Sequence, residues 1–175
     1  MFTGLHYLVT RKILGEFDAY ISFLVDLSPA KEVIHRKMWI TGGLYDYLER
    51  IPQRFRRGVF IHVLQDIWWY FNVRKNYMSD NIWSHRYLEI AHARKYYPFL
   101  PELDVDLALE FLGLFGDVDE RFVRRQYDVL YEVLFNPSFC DEFFKDKLTS
   151  KNVNVDLIEK YYEEDKLIFF LKRFF

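Results

Sequence analysis

The sequence contains little cysteine, glycine or proline, and this scarcity excludes several kinds of protein. Its 175 residues include 1 Cys, 7 Gly and 5 Pro. The single cysteine, Cys140, rules out an internal disulfide framework, and its apolar neighbours Phe139, Phe143 and Phe144 predict a buried thiol. Because few residues break regular structure, we expect long elements joined by short connections, and helices are the natural choice.

The chain also lacks a strong excess of either charge and any long apolar run. Its formal net charge is -2, which argues against general nucleic-acid binding, since that needs a basic face. The one tight basic cluster, Arg54, Arg56 and Arg57, predicts a solvated helix start, with phosphate contact as the alternative. No apolar stretch approaches the roughly 18–20 residues of a transmembrane helix, and residues 1–14 do not resemble a signal peptide. We therefore expect a cytoplasmic protein without membrane insertion.

Apolar side chains at helical spacing are what the sequence does have. It is 51% hydrophobic and 20% aromatic, and apolar residues recur every three or four positions instead of every two. No segment combines strand alternation with hairpin turns. We predict a single all-α domain over residues 1–175, a bundle of about eight or nine helices around a buried central helix. In this prediction residues 1–97 carry the functional site and residues 98–175 complete the fold.

Two helix starts and one long C-terminal helix have clear signals in the sequence. Ser28-Pro29 predicts a helix start, because serine caps well and proline fits the first turn. Asp117 and Glu120 are spaced as a capping box for a helix that ends near Phe135. Residues 155–175 are predicted to form one final amphipathic helix.

The predicted central helix at residues 52–73 is the most informative segment. From Gly58 to Phe71 its only polar residues are His62, Gln65 and Asp66. A helix that is hydrophobic all round is buried, and residues four apart lie on one face, so His62 and Asp66 project together from a core helix. A buried carboxylate without a partner is unstable or becomes neutral. We therefore expect a metal ion, an arginine or a histidine beside Asp66.

A second helix repeats this one-turn spacing. His85, Glu89 and His92 lie at positions i, i+4 and i+7, and all five histidines occur in the first 92 residues. Imidazole and carboxylate groups from several helices of a bundle are the ligands of zinc, iron or manganese. The alternative is purely structural: each histidine pairs with an acid or an arginine. Under it, His6 and His35 are ordinary histidines and His92 adds surface charge.

The order of these residues resembles the zinc-dependent phospholipase C and S1/P1-nuclease group. The residues that carry the resemblance are, in order, His6, Asp26, His35, His62-x-x-x-Asp66 and His85-x-x-x-Glu89. Enzymes of that group are all-helical, bind three zinc ions through histidine and acidic ligands in this order, and hydrolyse phosphodiesters with a metal-bound hydroxide. The resemblance covers residues 3–92, and it implies a hydrolytic metal site in this half of the chain.

A second, local resemblance covers residues 51–66. There the sequence is similar to the L-P-x-x-x-R-x-G-I-x-L-H-x-x-I-D segment of acyl-carrier-protein phosphodiesterases, which are cytoplasmic, helical and of comparable length. The similarity stops after Asp66, where this chain continues with Trp68, Trp69 and Tyr70. Both resemblances imply phosphodiester hydrolysis at an H-x-x-x-D helix.

We therefore predict a metal-dependent phosphoester hydrolase in which a divalent ion activates water. Zinc is the favoured ion, with manganese and iron as alternatives. In this prediction Asp66 and Arg57 are catalytic, with Arg57 stabilising the phosphate. The predicted metal ligands are His62, Asp66, His85 and Glu89, with His6, Asp26 and His35 as further ligands.

Two alternatives stand beside this prediction. The first is a hydrolase like the acyl-carrier-protein phosphodiesterases. The second is a non-catalytic helical scaffold whose site has lost its metal. In either case the C-terminal phenylalanines suggest a homodimer interface; they are Phe169, Phe170, Phe174 and Phe175.

Overall fold

A computed structural model of the chain describes residues 3–38, 43–76, 82–145 and 156–175, without the side chains of residues 37, 38, 82–85 and 157. All regular structure in the described residues is helical, which confirms the predicted all-α fold. The described chain contains more helices than expected. They are α1 (Thr3–Leu14), α2 (Glu16–Leu24), α3 (Ala30–Met38), α4 (Gly43–Leu48), α5 (Gln53–Asn72), α6 (Ile82–Tyr96), α7 (Val105–Leu112), α8 (Glu120–Phe135), α9 (Pro137–Phe144), α10 (Asp156–Tyr161) and α11 (Glu164–Leu171).

Helix α5 is the predicted central helix, and it lies between two hydrophobic clusters. Phe55, Val59 and Val63 contribute to a cluster with α2, α3, α4 and α7. Ile61 and Trp69, on another side of α5, contribute to a cluster with α10 and α11. The helix is therefore buried on more than one side, as its composition predicts. The prediction fails only at its end, where Phe71, expected in the core, is 52% exposed.

The C-terminal segment forms two helices where one was predicted. Helix α10 ends at Tyr161 and α11 begins at Glu164. The buried residues of this segment include Ile158, Tyr162 and Leu167, and the last two are five positions apart. Five residues turn a straight helix by about 500°, so Tyr162 and Leu167 would face different directions. The break between the helices places both against the same cluster.

Aspartates begin two of the helices. The Asp104 carboxylate accepts a hydrogen bond from the Leu107 amide at 3.0 Å at the start of α7. The Asp119 carboxylate accepts one from the Phe122 amide at 2.7 Å at the start of α8. The predicted capping box at Asp117 is thus displaced by two residues, because Asp119 has the extended backbone of a cap and its carboxylate reaches an amide of the first turn.

The turn between α2 and α3 is attached to α8 by a pair of hydrogen bonds. The Ser28 amide donates to Gln126 Oε1 at 2.8 Å, and Gln126 Nε2 donates to the Ser28 carbonyl at 2.9 Å. The Ser28–Pro29 peptide bond is cis, and α3 begins at Ala30. The predicted start is therefore displaced by one residue, and Ser28 is not its cap: its hydroxyl donates to the Glu32 carboxylate instead of accepting from a first-turn amide.

Helices α2 and α5 approach closely at Gly58. A Cβ atom on this glycine would lie 2.6 Å from the Ile21 Cβ and 2.8 Å from the Asp18 carbonyl oxygen. Only a residue without a side chain fits at this distance. One turn further along both helices, His62 of α5 lies beside Ser22 of α2. The close approach therefore positions the polar pair of the central helix.

Three further predictions concern surfaces and termini. In the described part of the chain, no helix has both the length and the apolar character needed to cross a membrane. Cys140 is fully buried, as its apolar neighbours predict.

At the C-terminus the rings of Phe174 and Phe175 contact Phe60 of α5, while Phe169 is 66% exposed. The dimer interface at this end stays a prediction.

Candidate metal centre

Five of the predicted ligands come together in one cluster, although four separate elements supply them. His6 comes from α1, Asp26 from the turn after α2, His35 from α3, and His62 and Asp66 from α5. Among the described residues, groups with the spacing of metal ligands are His6, Asp26 and His62, and His35, His62 and Asp66. Both groups include His62, so the centre is organised around the central helix.

The orientation of His62 decides what the cluster can bind. Its Nδ1 lies 2.8 Å from the Ser22 carbonyl oxygen. Because a carbonyl only accepts hydrogen bonds, Nδ1 carries the proton, and Nε2 of the neutral ring holds a lone pair. That nitrogen lies 3.1 Å from His35 Nε2 and 3.4 Å from Asp66 Oδ2. A histidine that binds a metal is commonly fixed in this way, by a backbone carbonyl at its other nitrogen.

The atoms of the second group have the separations of ligands around one ion. The distance between His35 Nε2 and His62 Nε2 is 3.1 Å. Asp66 Oδ2 lies 3.3 Å from His35 Nε2 and 3.4 Å from His62 Nε2. Two ligand atoms that each lie about 2.0–2.1 Å from a tetrahedral ion are about 3.3–3.4 Å apart. The three atoms therefore fit one face of a tetrahedral site, and they are nitrogen and oxygen donors of the kind that zinc accepts.

The other oxygen of Asp66 faces the remaining residues. Oδ1 lies 3.1 Å from His6 Nε2, and the same nitrogen lies 3.9 Å from Asp26 Oδ2. The His6 ring stacks on His62 with centroids 3.9 Å apart. In the part of the chain that the structure describes, Asp26 Oδ2 and His6 Nδ1 are buried without a hydrogen-bond partner. A cation is the natural partner for a buried carboxylate oxygen that accepts no hydrogen bond.

The protonation states of the cluster suit a cation. Burial and, to a lesser extent, the nearby His62 lower the pKa of His6 to about 4, so His6 is neutral at pH 7. Burial also lowers the pKa of His35. The pKa of the Asp26 carboxyl lies below its ordinary value although burial opposes this, because Lys31 and the histidines favour the anion. The pKa of Asp66 is also lowered, against burial, with His6 and His62 among the causes. Neutral imidazoles and ionised carboxylates are the forms that bind a divalent metal.

Lys31 is a neighbour of the candidate centre that sequence reasoning missed. Its Nζ donates a hydrogen bond to Asp26 Oδ1 at 3.1 Å. It lies one turn before His35 in α3, so the two side chains share a face of that helix. The only signal in the sequence is this four-residue spacing, and it has meaning only once Asp26 is known to lie against α3.

The other predicted site residues lie elsewhere or outside the description. Arg57 Nε lies 3.8 Å from Asp18 Oδ2, and the Arg57 side chain is 62% exposed. Arg57 precedes His62 by five residues of the helix, so the two side chains point in directions about 140° apart. Glu89 belongs to neither ligand group. The side chain of His85 lies outside the described residues. His92, for which surface charge was one interpretation, is only 3% exposed.

The chain was also compared with known proteins. No protein family, no curated protein and no solved structure matches it.

Proposed function

We propose that this protein is a hydrolase of phosphoesters that uses a divalent ion held by His6, Asp26, His35, His62 and Asp66. The observation that carries the proposal is the group His35, His62 and Asp66. Its three ligand atoms have the separations of a tetrahedral metal site, and Ser22 fixes the His62 lone pair toward them. The phosphoester substrate is proposed from the two resemblances of the H-x-x-x-D helix, which both concern phosphodiester hydrolysis.

Each residue has a distinct role in this proposal. When bound, a divalent ion supplies a water of lowered pKa, near 7, and polarises a phosphoryl oxygen. His62 provides the most rigid ligand, because its ring is fully buried and hydrogen-bonded to the α2 backbone. Asp66 places Oδ1 beside His6 and Oδ2 beside His35, and it therefore links the two ligand groups. Zinc is the ion that these donors suit best, and manganese and iron accept the same ones.

Metal binding is tested with chelator-treated protein. Zinc, manganese or iron(II) at about 100 times its dissociation constant should stabilise the fold by about 2.7 kcal/mol. For a domain of this size we expect a rise in melting temperature of about 5–10 °C. Asp66→Asn should abolish most of that rise, whereas Asp106→Asn, at an exposed position in α7, should preserve it. Elemental analysis of the purified protein gives the metal and its stoichiometry.

Hydrolysis is tested separately with chromogenic phosphomonoesters and phosphodiesters. The metal-loaded protein should hydrolyse the diester, and chelation or Asp66→Asn should remove the activity. A protein that binds the metal but hydrolyses neither ester would refute the hydrolase while leaving the metal centre in place. No stabilisation by any of the three metals would refute the whole proposal.

The scaffold remains a second candidate because the cluster also pairs internally. His6 and His35 each lie within 3.3 Å of an Asp66 oxygen, at hydrogen-bonding distance. If these pairs only stabilise the core, Asp66→Asn should destabilise the metal-free protein by about 3–5 kcal/mol. Metals should then leave the melting temperature of the wild-type protein unchanged. The two candidates thus predict opposite results in the same melting experiment.

A further inference from the structure

Among its five ligands, the candidate metal centre is most exposed to solvent at His35, and we call this its open side. The side chains of His6 and His62 are fully buried, and that of Asp26 is 3% exposed. Asp66 is 11% exposed and His35 is 30% exposed. A substrate must therefore approach the ion past His35 of α3, and the residues beside His35 are the ones that it meets.

Lys31 lies on this open side. Its side chain is 38% exposed, and it shares a face of α3 with His35. A lysine ammonium group has three N–H donors, of which Asp26 Oδ1 accepts one. The ammonium group is thus held beside Asp26, a ligand of the proposed ion, and it keeps two N–H donors beyond the one that Asp26 Oδ1 accepts.

Charge in the cluster favours an anionic substrate once an ion is bound. Asp26, Asp66 and Lys31 together leave the metal-free cluster with one net negative charge, which repels anions. A divalent ion reverses this to one net positive charge. Arg86 of α6 is a second cation in the neighbourhood. Burial and the charge of Arg86 act to lower the pKa of Lys31, but Asp26 outweighs them, and the pKa of Lys31 is raised overall. Anion binding should therefore depend on the metal.

We propose that Lys31 is the anion-binding residue of the centre and that it holds a phosphoryl oxygen of the substrate beside the ion. This inference rests on the proposed metal-dependent function and adds the residue that recognises the substrate class. It assigns to Lys31 the role that the sequence suggests for Arg57, whose side chain pairs with Asp18. Lysine and arginine are both common partners of phosphate, but only Lys31 contacts a residue of the centre.

The test measures binding of inorganic phosphate by calorimetry to zinc-loaded and chelator-treated protein. Three variants are compared with the wild type: Lys31→Gln, Lys31→Arg and Lys166→Gln. Lys166 is a matched control because it is an exposed lysine that also pairs with a carboxylate, that of Glu163. Zinc stoichiometry and melting temperature are measured for every variant.

The expected result is phosphate binding to the zinc-loaded protein only. Lys31→Gln should lower the affinity for phosphate about tenfold or more without changing the zinc stoichiometry. Lys31→Arg should keep most of the affinity, and Lys166→Gln should have no effect. Unchanged phosphate affinity in zinc-loaded Lys31→Gln would overturn the inference alone. Loss of zinc in Lys31→Gln would also overturn it, since Lys31 would then act only as the counter-charge of Asp26. Failure of the wild-type protein to bind any of the three metals would overturn both the inference and the proposed function.

Discussion

Replacing Gly58 by alanine should separate α5 from α2 and weaken the candidate metal centre. The new Cβ would lie 2.6 Å from the Ile21 Cβ and 2.8 Å from the Asp18 carbonyl oxygen. Carbon atoms in ordinary contact are about 3.5–4.0 Å apart, so the two helices must move apart by about 1 Å. Overpacking of this kind costs about 1–3 kcal/mol, whereas alanine in a helix gains about 1 kcal/mol over glycine.

The steric effect should win, because one of the three contacted atoms, the Asp18 carbonyl oxygen, belongs to the backbone and cannot rotate away. Since all three contacts would be shorter than 3.0 Å, we expect overpacking to cost about 2–3 kcal/mol, in the upper part of its range. The net loss is then about 1–2 kcal/mol, which corresponds to a fall in melting temperature of about 2–8 °C. The hydrogen bond from His62 to the Ser22 carbonyl lies one turn further along both helices. Stretching a hydrogen bond that orients a metal ligand typically lowers metal affinity 10- to 100-fold.

Calorimetry of the metal-free protein measures the first effect, and competition with a zinc-binding dye measures the second. Gln53→Ala is the control, since it changes an exposed position in the first turn of the same helix. Gly58→Ala protein that melts at the wild-type temperature or above, and binds zinc as tightly, would refute the argument that this close approach positions His62.

Two further predictions concern residues outside the ligand set. Burial lowers the pKa of His92 to about 4, against a reference of 6.5, so between these values the unfolded chain binds a proton that the folded chain does not. Stability must then fall as the pH falls from 6.5 to 4. His92→Gln should remove about 2 kcal/mol of the stability that the wild-type protein loses between pH 7 and 4.5, as measured by urea titration. An unchanged loss in the variant would contradict this. Gln126→Ala removes both hydrogen bonds to the Ser28 backbone and should cost about 1–3 kcal/mol by the same assay. Gln126→Glu keeps the acceptor but places a carboxylate oxygen against the Ser28 carbonyl oxygen, so it should cost at least as much. Equal stability of all three proteins would show that the turn does not need this attachment.

Much of the fold follows from spacing along the chain. Apolar residues every three or four positions predict helices, and a segment apolar on all sides predicts the buried helix α5. Boundaries are harder, because they depend on what each terminal residue contacts. Ser28 was expected to cap α3, but its hydroxyl donates to Glu32, and Gln126, 98 positions away, holds its backbone. The break before α11 depends on which cluster Tyr162 and Leu167 share, and this is decided by packing.

The candidate site shows the same division. The pair His62 and Asp66 is visible in the sequence because both residues lie on one helix. The convergence of His6, Asp26 and His35 on this pair was suggested only by a resemblance, since their spacing contains no information about which helices adjoin.

Glu89 illustrates the limit of spacing alone. Its one-turn spacing from His85 shows that the two residues share a face of α6, but not which neighbour that face contacts. In the described residues the charge of Glu89 acts to raise the pKa of His92, and its role as a metal ligand stays a prediction. Lys31 had only its four-residue spacing from His35 as a signal, because a lysine on a helix is ordinary until its partner is known.

The unequal burial of the ligands has a consequence for the rate at which an ion exchanges. The side chains of His6 and His62 have no exposed surface and that of Asp26 has very little, whereas those of His35 and Asp66 are 30% and 11% exposed. In the proposed centre an ion would therefore enter and leave most readily past His35, because the packed helices cover the other ligands. Exchange of a bound ion should accordingly be slow. Replacing His35 should speed exchange more than it weakens equilibrium binding.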